Sequence, residues 1–174
     1  AFIQEKAIYA RQQVSLNPIF QLAELCEEND QLNLAKQIYA YLISQSVENN
    51  MRLTAEIGWL EIEVKLIKPN AYDTIEAKYN DLFSIYKQGT ALAVLGLSYA
   101  NFLIDYRVKP SEAMQFLQEL MTSHSFKPFE LAQMRLLRGD AFVVMERFNE
   151  ALVEYSKVQI DLKNRLVSNY CIHR

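Results

Sequence analysis

The sequence predicts an all-α protein, an array of four helix hairpins with one helix before and one after. Three observations lead there. Only four Gly and four Pro occur in 174 residues, whereas a sheet protein needs many turns, and turns consume those residues. Apolar residues recur at helical spacing almost throughout, as at Ile38, Tyr41, Leu42 and at Leu152, Tyr155. Positions that open the core face of a helix also recur at long intervals. Ala35, Ile75, Ala113 and Ala151 stand 40, 38 and 38 residues apart, which is the mark of a helical repeat.

Each element has a local reason. A flanking helix is expected over 1–14. The first hairpin, near 17–47, opens at Asn17-Pro18, a cap residue followed by a first-turn proline. The polar run Glu28-Asn29-Asp30-Gln31 divides it. The second hairpin, near 51–87, is divided at Lys68-Pro69-Asn70, because the residue before a proline leaves the helical region. The third, near 90–122, begins with the most apolar stretch of the chain, Ala91 to Ile104, and turns at Lys109-Pro110-Ser111. Fourteen residues are too few to span a bilayer, which takes about 20, so that stretch reads as the centre of a helical core. After the loop Ser123-His124-Ser125, Lys127-Pro128 starts the fourth hairpin, near 128–161. A last helix is expected over 164–174. No long Gly/Ser-rich linker interrupts the array, so one continuous body is expected.

Small residues sit inside the first helix of each hairpin, at Ala23, Gly58, Gly96 and Gly139. A glycine inside a helix costs about 1 kcal/mol against alanine. Three of the four glycines lie at such positions, so close approach of two helix axes is the expected reason. This bears on Arg138-Gly139-Asp140, which spells a cell-adhesion tripeptide. An adhesion tripeptide has to project from a flexible turn, and here it is expected on a packed helix seam instead.

The pattern resembles the tetratricopeptide repeat family. The fourth hairpin carries the resemblance best, with Gly139, Phe142, Ala151, Tyr155 and Val158, and with Phe148 where the family favours an aromatic. The first hairpin follows with Ala23, Cys26, Ala35, Tyr39 and Leu42. The third matches in its second helix at Ala113, Phe116/Leu117 and Leu120, and the second matches at Gly58, Ile75, Tyr79 and Leu82. The chain departs from the family at Arg135 and Ile19, where an early large aromatic is usual. It departs again at Val47 and Lys163, where a closing proline is usual. Its period also exceeds the roughly 34 residues typical of the family. The resemblance covers about residues 16–163 and implies a right-handed α-solenoid, divergent, with longer repeats. Ser168 to His173 repeats the pattern of Ser15 to Phe20. With Ala1 in place of a start methionine, the expectation is a segment of a longer solenoid.

Several function classes are disfavoured. The net charge is −3, without the basic stripe a nucleic-acid binder shows. Cys26 and Cys171 form no C-x-x-C and no Cys/His cluster, so neither a disulfide framework nor a metal site is expected. The sequence shows no Gly-rich phosphate loop, no G-x-S-x-G and no H-E-x-x-H. His124 has no nucleophile at helical spacing. Cys171 and His173, two residues apart, face different directions on a helix. No catalytic residue, cofactor or membrane insertion is expected.

Binding is the expected activity. Stacked hairpins make a concave surface, and the resemblance implies that the first helix of each pair lines it. Counting faces from the small residue places Phe20, Glu24 and Glu27 there from the first hairpin and Arg52, Trp59 and Glu63 from the second. The third contributes Leu97 and Asn101, and the fourth Gln133, Leu136, Asp140 and Val143. Trp59 is the only tryptophan and is the natural aromatic anchor; packing between repeats is the competing role. Glu27 and Glu28 close a helix, where acid opposes the dipole, which suggests attraction for a basic partner. Asn101 and Arg52 do not make the ordered basic set with which some family members clamp a C-terminal carboxylate. The expected partner is a protein or peptide. The competing reading is structural: a spacer, or a segment that self-associates head to tail in a larger assembly such as an envelope or secretion complex.

Overall fold

The computed structural model describes residues 17–46 and 49–158. The flanking segments expected at 1–14 and 164–174, the end of the fourth hairpin, and Val47, Lys163, Cys171 and His173 lie outside the described residues. Among the described residues the chain is all helical, with no strand. The helices are α1 (Asn17–Glu28), α2 (Leu32–Gln45), α3 (Asn49–Leu66), α4 (Tyr72–Ile85), α5 (Gly89–Asp105), α6 (Pro110–Ser123) and α7 (Pro128–Val144). Residues 148–158 form α8. A single 3₁₀ turn, Pro69–Ala71, leads into α4. The expected prolines do stop and start helices: Pro69 opens the 3₁₀ turn, and Pro110 and Pro128 are the first residues of α6 and α7. The described chain forms two compact units, whose boundary falls in α4 after Ala77.

In the first unit, α1 buries Ile19, Ala23 and Cys26, one face at steps of four and three residues. They meet Ala35, Ile38, Tyr39 and Leu42 of α2, and Ala55 and Ile62 of α3. Full burial of an Ile or Leu side chain contributes roughly 1.5–3 kcal/mol, so this cluster holds the three helices together. The α1–α2 turn places Asp30 at φ 56°. Aspartate tolerates that left-handed conformation better than most residues. It lets the Gln31 N–H reach the Cys26 carbonyl at 2.8 Å and close the helix.

The second unit is built around α5, whose expected role as a core helix holds: Leu92, Leu95, Phe102 and Leu103 are among its buried residues. Ala113 and Leu117 of α6 and Met134, Leu137 and Ala141 of α7 join the same core. Tyr79 and Phe83 of α4 attach through an aromatic cluster. The Tyr99 ring lies 5.2 Å from Tyr79, and it meets Phe83 and Phe116 edge to face at 5.6 and 5.0 Å. The Tyr79 and Ser98 hydroxyls hydrogen-bond at 2.9 Å, which satisfies both polar groups in a buried place. At the start of α7 the Lys127 backbone N–H donates to Glu130 Oε2 at 2.8 Å, so the buried Glu130 carboxylate has a defined task at a helix N-terminus.

The three glycines in helix interiors, Gly58, Gly96 and Gly139, are contact points. An ideal Cβ on Gly58 would lie 2.5 Å from Cζ of Tyr39, and one on Gly96 would lie 2.5 Å from Cδ2 of Leu120. One on Gly139 would overlap the Tyr155 ring. The adhesion tripeptide is therefore helical seam. Gly139 is buried in α7, Arg138 lies 3.6 Å from the buried Glu154, and Asp140 accepts a hydrogen bond from the Tyr155 hydroxyl at 2.6 Å.

Candidate binding surfaces

In the first unit, α1 and α3 flank an open groove of about 440 Å³. Helical spacing puts Phe20 and Glu24 one turn apart on α1 and Met51 and Thr54 one turn apart on α3, and all four line it with Gln21 and Asn50. Phe20 is half-buried and packs against the core, which fixes its ring as part of the groove floor. Glu24 is exposed at the edge. The groove thus offers an apolar floor, amide and hydroxyl groups able to pair with a backbone, and one carboxylate.

The other residues expected on this surface have neighbours within the unit. Glu27 accepts a hydrogen bond from the Tyr39 hydroxyl at 2.8 Å and lies 3.6 Å from Lys65 Nζ. Burial, then the bond to Glu27, holds the Tyr39 phenol well above the usual tyrosine range. The acid closing α1 is thereby used inside the unit, to tie α2 and α3 to α1. Glu63 forms an ion pair and hydrogen bond with Lys36, and the same ammonium stands 5.0 Å from the centre of the Trp59 ring. Trp59 is half-buried and packs against the first core. Arg52 is exposed and bonds Glu56 one turn along at 3.0 Å.

In the second unit, Leu97 and Asn101 lie on one face of α5, and Gln133, Leu136, Asp140 and Val143 on one face of α7. Asn101, Leu136, Asp140 and Val143 are exposed and Leu97 and Gln133 half-buried. Val94 and Phe129 extend these two faces and are also exposed; their period with Leu97 and Leu136 was the available signal for them. A smaller hollow of about 240 Å³ between α7 and α8 is lined by Phe142, Val153 and the buried Glu154. Lys157 bonds that carboxylate at 2.8 Å.

Among the described residues no group of His, Cys, Asp and Glu could hold a metal ion, and no helix is long and apolar enough to cross a membrane. His124 is exposed beside the Phe126 ring, 6.0 Å centre to centre. Cys26 is buried and free, and burial pushes its thiol above the usual range, the opposite of what an activated nucleophile needs. Comparison with family models, with curated proteins and with solved structures found no match.

Proposed function

We propose that the chain is a divergent tetratricopeptide-like segment, a right-handed α-solenoid of stacked hairpins, that acts as a protein–protein interaction scaffold without catalysis of its own. It would hold a peptide or a partner protein on a concave surface lined by the first helix of each pair. The observation that carries this reading is the α1–α3 groove. Its floor is apolar at Phe20 and Met51, its walls offer Gln21, Asn50 and Thr54, and Glu24 stands at its edge. A segment with one apolar anchor and one basic residue would be complementary to it. Small-residue seams at Gly58, Gly96 and Gly139 agree with tight hairpin stacking.

The test is site-specific photo-crosslinking in the source cells, with a crosslinkable residue in place of the exposed groove residue Thr54. The control position is Thr122, exposed at the end of α6. A discrete adduct from position 54, absent from position 122 and lost when Glu24→Lys is added, is the expected result. Equal adducts from both positions would remove the groove from consideration.

A structural reading is favoured by one observation. α8 exposes Phe148 and Leu152, at 59% and 62%, one turn apart on the same face. If this face mediates self-association, the mass seen by light scattering rises with concentration, and Leu152→Asp abolishes the rise.

A further inference from the structure

The chain has five methionines, and all five lie among the described residues. Four have surroundings that shield the sulfur. Met134 is 0% exposed, inside the second core. Met114 and Met121 of α6 are half-buried and pack against that same core. Met145 is half-buried, and its sulfur accepts a hydrogen bond from the Ser111 hydroxyl at 3.1 Å. Met51 is placed differently. It stands in the first turn of α3, half-buried, and forms part of the open groove of about 440 Å³ together with Phe20, Gln21 and Asn50.

That placement matters for one reaction, the oxidation of a thioether by a peroxide. A sulfur lone pair attacks one peroxide oxygen, the O–O bond breaks, an S–O bond forms, and hydrogen peroxide leaves as water. Sulfur gives up two electrons and the peroxide takes them. The step needs a lone pair that solvent can reach. Burial withholds it at Met134, core packing screens it at Met114 and Met121, and the Ser111 hydroxyl occupies it at Met145. At Met51 the side chain is itself groove surface. The thiol of the same unit does not compete, because Cys26 is buried and burial pushes its thiol above the usual range. The product also suits the site. A sulfoxide is polar, and the Gln21 and Asn50 amides of the same groove are able to donate to its oxygen. At Met134 the same oxygen would be a polar group buried among apolar side chains. Oxidation at Met51 therefore leaves the core intact and makes polar one of the two apolar side chains, Phe20 and Met51, on the groove floor.

We propose that Met51 is a reversible modification site: a peroxide converts it to the sulfoxide ahead of the other four methionines, and the polar floor then releases what the groove holds. The order of oxidation stands on the five environments alone, whereas the release rests on the groove reading above.

The experiment exposes the full 174-residue chain to hydrogen peroxide and follows each methionine by peptide mass spectrometry over time. The expected result is that Met51 reacts first and Met134 last. Circular dichroism and the urea midpoint stay unchanged when one oxygen has been added. The chain with a crosslinkable residue at position 54, used in source lysate, reads the consequence. Its adduct falls about tenfold after peroxide, the equivalent of losing one buried apolar side chain. Treatment with a methionine sulfoxide reductase restores it. With Met51→Leu added, the adduct yield no longer responds to peroxide, whatever its starting level. Earlier oxidation of Met114, Met121 or Met145, unfolding in step with the first oxygen, or an adduct unchanged by oxidation overturns the proposal. An untreated chain that gives no adduct overturns the groove reading and the release with it, while the mass spectra still decide the order of oxidation.

Discussion

Replacing Gly58 by alanine sets two opposed effects of known size against each other. Alanine is the better helix residue by about 1 kcal/mol, so at an open helical site the change stabilises. Here the new methyl would lie 2.5, 2.6 and 2.9 Å from Cζ, Cε1 and Cε2 of Tyr39. The ring cannot swing aside freely. Tyr39 is only 5% exposed, and its hydroxyl is held by Glu27 at 2.8 Å. Overpacking of this kind costs about 1–3 kcal/mol, and loss of a hydrogen bond to a charged group adds about 1.5–3 kcal/mol. The costs outweigh the propensity gain, and Gly58→Ala destabilises by about 2 kcal/mol or more. Urea unfolding followed through Trp59 reads this directly, since that residue packs on the same core. Tyr39→Leu keeps apolar volume but lacks the three ring atoms that collide. In that background Gly58→Ala becomes neutral or stabilising, by up to about 1 kcal/mol. The same sign in both backgrounds would refute the reasoning.

Three further outcomes follow from the same geometry. Gly96→Ala shifts the unfolding midpoint less than Gly58→Ala and stays within about 1 kcal/mol of wild type, because its close neighbour is one terminal methyl of Leu120 that can turn away. Val108→Gly raises thermal stability by about 1 kcal/mol: Val108 is a β-branched residue held at φ 54° and 71% exposed, and that conformation costs an L residue roughly 1–2 kcal/mol. The bond to Asp140, then burial, raises the Tyr155 phenol from 10.0 to about 12. Its contribution is whole below pH 10 and is lost as pH rises from 10 to about 12. Urea midpoints measured across that window fall more steeply for wild type than for Tyr155→Phe; parallel curves would show that the bond is not formed.

Much of the helical framework was legible because its signals are local. Pro110 and Pro128 fix helix starts by removing a donor and presetting φ, and the structure begins α6 and α7 there. Gly58, Gly96 and Gly139, inside helices, announced close approaches, since nothing local justifies them. What they approach was not legible. Gly58 meets Tyr39 from the preceding hairpin, whereas Gly139 meets Tyr155 from its own, and the two look alike as sequence. The candidate surfaces were read only in part for the same reason. Phe20 and Glu24 do share a groove. Glu27, Trp59 and Glu63 were placed outward by counting faces, yet Tyr39, Lys36 and Lys65 reach them from other helices. Spacing along one helix says which way a side chain points, not which long side chain arrives from elsewhere.

We propose that the α1–α3 groove recognises a protein partner. A quantitative pull-down from source lysate, wild type beside Glu24→Lys, tests it most directly, followed by titration of the purified partner. Glu24 is exposed, so the substitution leaves the fold in place. The expected result is a partner that wild type enriches and binds reversibly, and that Glu24→Lys binds at least about tenfold more weakly. Equal recovery and equal affinity with the two proteins would contradict it.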